Sequence, residues 1–417
     1  MNIDNKVLHI GKKAKIASNQ TRLLSSEIKN KALKILIENI KNNSKKIILS
    51  NKVDIENANK KSLSNPLINR LSLTNNSIEN LIDSIDKIIN LPDPIGKILN
   101  EWKQPNGLIF KKISVPIGVL GVIYESRPNV TIDAACIALK SGNALILRGG
   151  SDSFNTSSTL VDIIENSFEK AGCPKNLVQM IPFVDRKGVD SLIQMNDFVD
   201  VIIPRGGKNL IKKIYEKSKI PVIKHLDGIC HIYIDKDADF KKAIKVLVNS
   251  KLRRPEICGA AETLLIDKAI QEHAMKFLKP LIVKGCEIRG DDFIKNLNND
   301  IVIANEIDWS TEYLDKILSV KIVNGVEQAI DHINNYSSGH TESIITENDK
   351  TFLRFYNNID SAIILKNAST QFADGGEFGF GSEIGISTNK LHVRGPVGAQ
   401  HLTSFKYIVL GDGHERP

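Results

Sequence analysis

Aromatic residues are scarce in this chain, 6% of 417 residues with only two Trp. No basic stretch is interleaved with them, which excludes the stacking platform of a single-strand nucleic-acid binder. Cysteine is sparse too: Cys136, Cys173, Cys230, Cys258 and Cys286 are odd in number and widely spaced, with no Cys-x-x-Cys. No Cys/His cluster has zinc spacing, so neither a disulfide framework nor a metal site is expected and the chain reads as reduced and cytoplasmic. No segment reaches the ~20 apolar residues of a membrane span, and Met1 to Ile10 lacks a signal peptide's apolar core. A soluble protein without a membrane partner is the expectation. A P-loop is absent, which argues against ATP, and so is the Gly-x-Gly-x-x-Gly fingerprint.

What the chain has is an excess of positive charge, +8 with a pI near 9.0. Part of it is a Lys and Asn bias, as in Lys41-Asn-Asn-Ser-Lys-Lys46, and anionic small substrates suit it as well as nucleic acid does. A non-enzymatic nucleic-acid binder is the rival that the charge suggests; salt-sensitive binding would mark it. The length predicts two or three domains.

From Ser18 to Ile89 apolar positions recur at helical spacing, for example Leu33, Leu36, Ile37 and Ile40, which predicts an all-helical opening. Leu91-Pro-Asp-Pro94 breaks it. Ile98 to Val115 then alternates around Pro105-Asn-Gly107, a hairpin signal. Beyond Val115 come buried apolar strands separated by helices: 118–124, 131–140, 144–148, 155–171, 178–182, 185–195 and 199–204. That rhythm predicts a parallel sheet with crossover helices, a doubly wound nucleotide-binding domain. A second α/β unit opens at strand Cys230–Asp235, and Ser404–Leu410 closes the chain as a strand.

Cys258, in Arg253-Arg-Pro-Glu-Ile-Cys-Gly259, is the candidate nucleophile. Arg253 and Arg254 place positive charge nearby, which favours a thiolate, Gly259 allows close backbone approach, and Leu264-Leu-Ile266 reads as a buried strand behind the loop. The alternative reading, a small buried hydrophobe, stays open on these residues alone. Two glycine turns follow buried strands, Arg148-Gly149-Gly-Ser151 and Pro204-Arg-Gly206-Gly207-Lys208. Such turns let backbone amides approach phosphate, and two in one sheet suggest a dinucleotide.

Val115-Pro-Ile-Gly-Val-Leu-Gly-Val-Ile123 with Ser141-Gly-Asn-Ala-Leu-Ile-Leu-Arg148 resembles the cofactor domain of the aldehyde dehydrogenase superfamily, and Cys258 falls where that superfamily keeps its nucleophile. The resemblance narrows to the gamma-glutamyl phosphate reductase family of proline biosynthesis on several segments. They are Tyr124-Glu-Ser-Arg-Pro-Asn-Val-Thr131, Ile203-Pro-Arg-Gly-Gly207, Arg254-Pro255, Ala368-Ser-Thr370 with Asp374-Gly-Gly376, and the whole of Val323 to Ile344. It implies an aldehyde dehydrogenase-like α/β fold: residues 1–228 as helical N-terminus and NADPH-binding domain with an oligomerisation hairpin near 98–115, 229–373 as catalytic domain, and 374–417 as C-terminal cofactor-domain and oligomerisation segment. It also implies NADPH-dependent reduction of L-glutamyl 5-phosphate to L-glutamate 5-semialdehyde through a Cys258 thioester, a homo-oligomer, and a possible partnership with glutamate 5-kinase. A different-substrate reductase of the same superfamily is the second reading.

The resemblance assigns roles residue by residue. The Cys258 amide and the Asn129 side chain are oxyanion donors. Arg148, Gly149, Ser151, Gly206, Gly207 and Glu312 meet the cofactor, Arg148 taking the 2'-phosphate where Ser151 supplies no acidic repulsion; the family usually has lysine at Ser151. Glu312 resembles the glutamate that holds the nicotinamide ribose, although Asp315-Lys316 replaces the usual Gly-Pro. Arg253, Arg254, His340 and Thr341 are substrate-side groups. His332 and His340 flank a helix end, so a shared metal is not expected. Hydrolytic relatives carry a glutamate base in a Glu-Leu-Gly-Gly segment; here His225-Leu-Asp-Gly228 stands there, which protects a thioester from water.

Overall fold

The computed structural model describes residues 2–224 and 227–416, with the backbone alone at residues 65 and 66. The chain forms two compact units, Met1–Lys224 with Gly379–Gly385 and Val397–Pro417, and His225–Phe378 with Ile386–Pro396. The divisions expected after residues 228 and 373 fall after Lys224 and Phe378, and Ile386–Pro396 goes with the second unit.

The first unit opens with α1 (Ile3–Thr21), α2 (Ser26–Asn42), α3 (Ser44–Lys60), α4 (Asn65–Leu71) and α5 (Asn75–Asn90). Local chemistry sets their starts: the Ser25 side chain accepts from the Ile28 N–H, and Thr74 and Ser77 form a reciprocal capping box. The apolar stripe of α2, with Leu33, Leu36 and Ile40, is fully buried. β1 (Ile98–Lys103) and β2 (Ile109–Pro116) make the expected hairpin, turned at Gly107 with φ +98°.

β3 (Val119–Tyr124), α6 (Asn129–Lys140), β4 (Ala144–Gly149), α7 (Phe154–Ala171), β5 (Val178–Met180), α8 (Lys187–Leu192), β6 (Val201–Arg205) and α9 (Lys208–Lys217) follow. The strands are parallel in the order β5-β4-β3-β6. Numbered from β3, that is the 3-2-1-4 arrangement of a doubly wound sheet, whose order reverses between β3 and β6. Ligands of such sheets bind beyond the carboxyl ends of the strands at that reversal. β3 and β4 are buried throughout, which is why they read as unbroken apolar runs.

The second unit carries β7 (Cys230–Ile234), α10 (Phe240–Leu252), β8 (Ala261–Asp267), α11 (Ala274–Ile282), β9 (Glu287–Gly290), α12 (Asp292–Lys295), β10 (Val302–Ile303), β11 (Ile317–Val323), α13 (Gly325–Tyr336), β12 (Thr341–Ile345), α14 (Asp349–Asn358) and β13 (Ile363–Lys366). Its seven-stranded sheet has the order β10-β9-β11-β8-β7-β12-β13, with parallel pairing throughout. Successive strand residues face opposite layers. Ile232 and Ile234 therefore pack in the α10 and α11 layer, and Tyr233 packs beneath α13 and α14 with Ile333 and Phe355. The small pair β14 (Ile386–Ser387) and β15 (Gly395–Pro396) completes this unit.

β16 (Thr403–Leu410) returns to the first unit and pairs antiparallel with β2. The three-stranded sheet β1-β2-β16 leaves Ile98, Leu99, Phe405, Tyr407, Val409 and Leu410 exposed. Among the described residues no helix is long and apolar enough to cross a membrane.

Asp54 ties the helical opening to the sheet. Its buried carboxylate accepts from the Asn155 and Thr156 backbone N–H groups at 3.2 and 2.8 Å, and from their side chains at 2.8 and 2.6 Å. It thereby caps α7 from another helix. Asp54→Ala is expected to lower the unfolding free energy by about 2–3 kcal/mol, because it strands buried donors. A urea titration followed by circular dichroism measures the change.

Candidate active site

Among the five cysteines only Cys258 is partly exposed; the other four are buried. It lies in the turn between α10 and β8, packed against Ile363, Ala373 and Ile386. The loop is gripped from three directions. Gly228 lies so close that a Cβ there would stand 2.2 Å from the Cys258 carbonyl oxygen and 2.6 Å from its Cα. The Gly228 N–H is in turn held by the Glu312 carboxylate at 2.9 Å. From below, the Cys230 thiol donates to the Cys258 carbonyl at 3.2 Å, and the His340 Nδ1 lies 3.5 Å from the Cys230 sulfur and 2.8 Å from the Thr341 hydroxyl. Burial above all, with nearby carboxylates, pushes the Cys230 thiol well up, so it remains a donor.

The third grip is the Ala368-Ser-Thr370 motif with Gln371. The Gln371 amide donates to the carbonyls of Ser250 and Arg254 at 3.0 and 3.1 Å and accepts from Arg253 Nη1 at 3.3 Å. Ser250 and Ser369 share a hydroxyl contact at 3.0 Å, and Ser250 also accepts the Thr370 N–H at 3.1 Å. Behind the loop the buried Lys251 meets Glu262 at 2.6 Å, yet desolvation still pushes the Glu262 carboxyl up to about 7.

Several expected substrate-side residues take other places. His340 and Thr341 are wholly buried and brace the loop through Cys230, so they are not surface groups open to substrate. Arg254 pairs with Glu256 at 2.9 Å, which offsets part of the charge expected beside the thiol. Arg253 is exposed and lines a groove of about 780 Å³ with Lys245, Lys284 and Lys316. His332 is far removed in chemistry from His340: it packs with His231, Trp309 and Tyr336, where burial holds its imidazole down to about 3 and therefore neutral. Among the described residues no group of His, Cys, Asp or Glu is arranged to hold a metal. His225 and Leu226, where the glutamate base of hydrolytic relatives would stand, lie outside the described residues.

In the first unit the two glycine turns differ. Arg148 is 8% exposed, with Nη1 donating to the Gly149 carbonyl at 2.9 Å and Nη2 to the Val184 and Asp185 carbonyls at 2.8 and 3.4 Å. Gly149 is buried against the Tyr124 ring. Neither is presented to a ligand, and the helix that follows, α7, already has its amino end filled by Asp54. Of the expected cofactor contacts, Arg148 is engaged as a clamp on three backbone carbonyls and Gly149 packs against Tyr124. Ser151 is exposed and donates to Asp152 at 3.1 Å.

The turn after β6 is open. Gly206 and Gly207 are exposed at the amino end of α9, and the Gly207 N–H donates to the Glu125 carboxylate at 2.9 Å. A Cβ on Gly206 would stand 2.5 Å from that carboxylate. An anionic oxygen thus already sits on the Gly207 amide, as a phosphate oxygen would, beside the reversal of strand order. Asn129, the first residue of α6, donates to Asp133 one turn on at 3.3 Å. Asp133 also accepts from Ser84 and Ser382 at 3.4 and 3.2 Å, and desolvation pushes its carboxyl up to about 6.

Residues 12–288 match the model of the aldehyde dehydrogenase family. The gamma-glutamyl phosphate reductase of Brucella suis biovar 1 is 48% identical over 409 residues, 98% of this chain and 97% of that protein. The crystal structure of gamma-glutamyl phosphate reductase from Thermotoga maritima superposes with a TM-score of 0.96 at 41% identity, covering 99% of this chain and 100% of that one. An engineered glycolyl-CoA reductase with bound NADP+ shares the fold, with a TM-score of 0.71 at 17% identity over 97% of this chain and 96% of its own.

The neighbouring glycines of the thiol loop are not equivalent. An Ala at Gly228 meets Cys258 backbone, whereas an Ala at Gly259 comes no closer than 3.2 Å, to the Thr370 carbonyl. Gly228→Ala is expected to change the rate of Cys258 alkylation by iodoacetamide about tenfold or more, since the loop must shift by about 1 Å. Gly259→Ala should stay within about threefold. Peptide mass spectrometry at timed quenches reads both.

Proposed function

Since the chain belongs to the gamma-glutamyl phosphate reductases of the aldehyde dehydrogenase family, we propose that it reduces L-glutamyl 5-phosphate to L-glutamate 5-semialdehyde and phosphate with NADPH, the second step from glutamate to proline. The observation that carries the reading is the single accessible thiol, with its loop held by backbone contacts.

The Cys258 thiolate attacks the acyl carbon, the bond from that carbon to the phosphate oxygen breaks, and phosphate leaves a thioester on sulfur. NADPH, when bound, supplies the hydride that reduces this thioester carbon. The resulting thiohemiacetal oxyanion loses its carbon–sulfur bond as the aldehyde forms, which returns the electron pair to Cys258. Each tetrahedral stage places negative charge on oxygen, and the Cys258 N–H with the Asn129 amide are the proposed donors. Arg253, beside Lys284 and Lys316 on its groove, and Arg254 are the proposed phosphate contacts. Gly206, Gly207 and Ser151 are the proposed cofactor contacts. The amide cradle with its intramolecular carboxylate fits a pyrophosphate. Glu312 is proposed at the nicotinamide ribose, with its hold on Gly228 linking that contact to the thiol loop. His340 and Thr341 act as positioning residues through Cys230.

A cytoplasmic setting suits five unpaired cysteines, and a glutamate 5-kinase is the proposed source of the labile acyl phosphate. The exposed apolar residues of β1-β2-β16 support a homo-oligomer built through that sheet.

The reverse reaction tests the chemistry. Glutamate semialdehyde, phosphate and NADP+ should yield NADPH, Cys258→Ala should abolish it, and Cys173→Ala, at a buried thiol of the first unit, should retain most of it. Rapid turnover with phosphate omitted would overturn the acyl-phosphate reading. Light scattering tests assembly: the parent chain should run at a multiple of 46.2 kDa. Tyr407→Asp with Leu410→Asp should shift it toward the single-chain mass.

A further inference from the structure

We propose that Arg186, with Lys187 beside it, receives the 2'-phosphate of NADPH, an inference that rests on the NADPH reading above. In doubly wound sheets the adenosine ribose is met at the carboxyl end of the strand next to the first, by an acidic residue for NAD or an arginine for NADP. Here that strand is β4, and its end presents no such group itself. Arg148 is engaged by three carbonyls, Gly149 is buried, and Ser151 is neutral. Asp152 accepts from the hydroxyls of Ser126 and Ser151, which ties down the carboxylate that would otherwise suit a ribose diol.

The neighbouring chain supplies what β4 does not. β5 pairs with β4, and the loop after β5 is the one whose Val184 and Asp185 carbonyls Arg148 holds. Within that loop the Asp185 side chain accepts the Lys187 N–H at 2.8 Å, and its carbonyl accepts the Gly188 N–H at 3.0 Å. The turn leaves Arg186 and Lys187 exposed, and among the described residues the Arg186 guanidinium makes no hydrogen bond or ion pair. Its charge is nevertheless felt at the clamp. Arg148 is held below the usual guanidinium value by burial first and by Arg186 as well, against the opposing pull of Glu125, Asp152 and Asp185. Arg186 thus lies near Arg148 at the carboxyl end of β4 and β5. A planar guanidinium suits the oxygens of a phosphate monoester dianion in a bidentate pair. Arg148 is then a positioning residue that carries Arg186 to the ribose end of the strand.

The probes are adenosine 2',5'-bisphosphate and 5'-AMP, which differ only in the 2'-phosphate, titrated calorimetrically into the full chain. The parent should prefer the bisphosphate. Arg186→Ala should weaken the bisphosphate about 10- to 100-fold, the range of a lost hydrogen bond to a charged group, and leave 5'-AMP within about twofold. KM for NADPH should rise in step while kcat changes little. Arg186→Gln is the second variant, and a thermal melt confirms that each chain is folded. A parent preference that survives both substitutions overturns the role of Arg186 and leaves the NADPH reading standing. A parent chain without preference between the probes, and equally active with NADH, overturns the NADPH reading and this inference with it.

Discussion

A backbone-to-backbone contact with no room for a side chain governs the thiol site. Gly228 lies against the Cys258 main chain, and the remaining contacts there are ways of keeping that approach in place. Glu312 holds the Gly228 amide, Cys230 holds the Cys258 carbonyl, and Gln371 holds the two carbonyls at the start of the loop. A nucleophile fixed through its main chain keeps its side chain free for chemistry. It also makes the loop sensitive to residues that never meet a substrate.

Carboxylates at helix amino ends give the first unit its asymmetry. Asp54 closes α7 from a distant helix and is buried with it, whereas Glu125 covers α9 from the surface. The same electrostatics, an anion on amides at a helix amino end, is buried in one place and open to solvent in the other. Giving up the buried donors costs more, because no water replaces the lost carboxylate.

Much of the fold was legible. Strands buried on both faces read as continuous apolar runs, and Pro105-Asn-Gly107 announces its hairpin, so the alternation of strand and helix needs only local pattern. Helix α8, which ends at Leu192, starts two residues into the expected 185–195 because Asp185 turns the chain with its side chain and carbonyl before Lys187. Cys258 was legible as a candidate; its supports were not. Gly228, Cys230 and Gln371 reach it across 30, 28 and 113 residues of sequence, and no periodicity encodes such contacts. The contacts of Arg148 were hidden for the same reason. A guanidinium after a strand suggests phosphate, but its partners, the Val184 and Asp185 carbonyls, are invisible in the local sequence. The burial of His340 and Thr341 likewise depends on β12 being an interior strand of a seven-stranded sheet.

Neither compact unit is a continuous stretch of chain. Ile386–Pro396 belongs to the second unit although the segments on either side of it belong to the first, and the first is completed only by Val397–Pro417. During synthesis, then, the second unit lacks β14 and β15 until the chain has passed back through Gly379–Gly385 of the first. The first meanwhile waits with β2 missing its partner β16. An open strand edge is a template for pairing with other chains. The order of emergence from the ribosome therefore leaves that edge of β2 unpaired until β16 is translated, and this is the interval in which a nascent copy is most open to strand exchange with its neighbours.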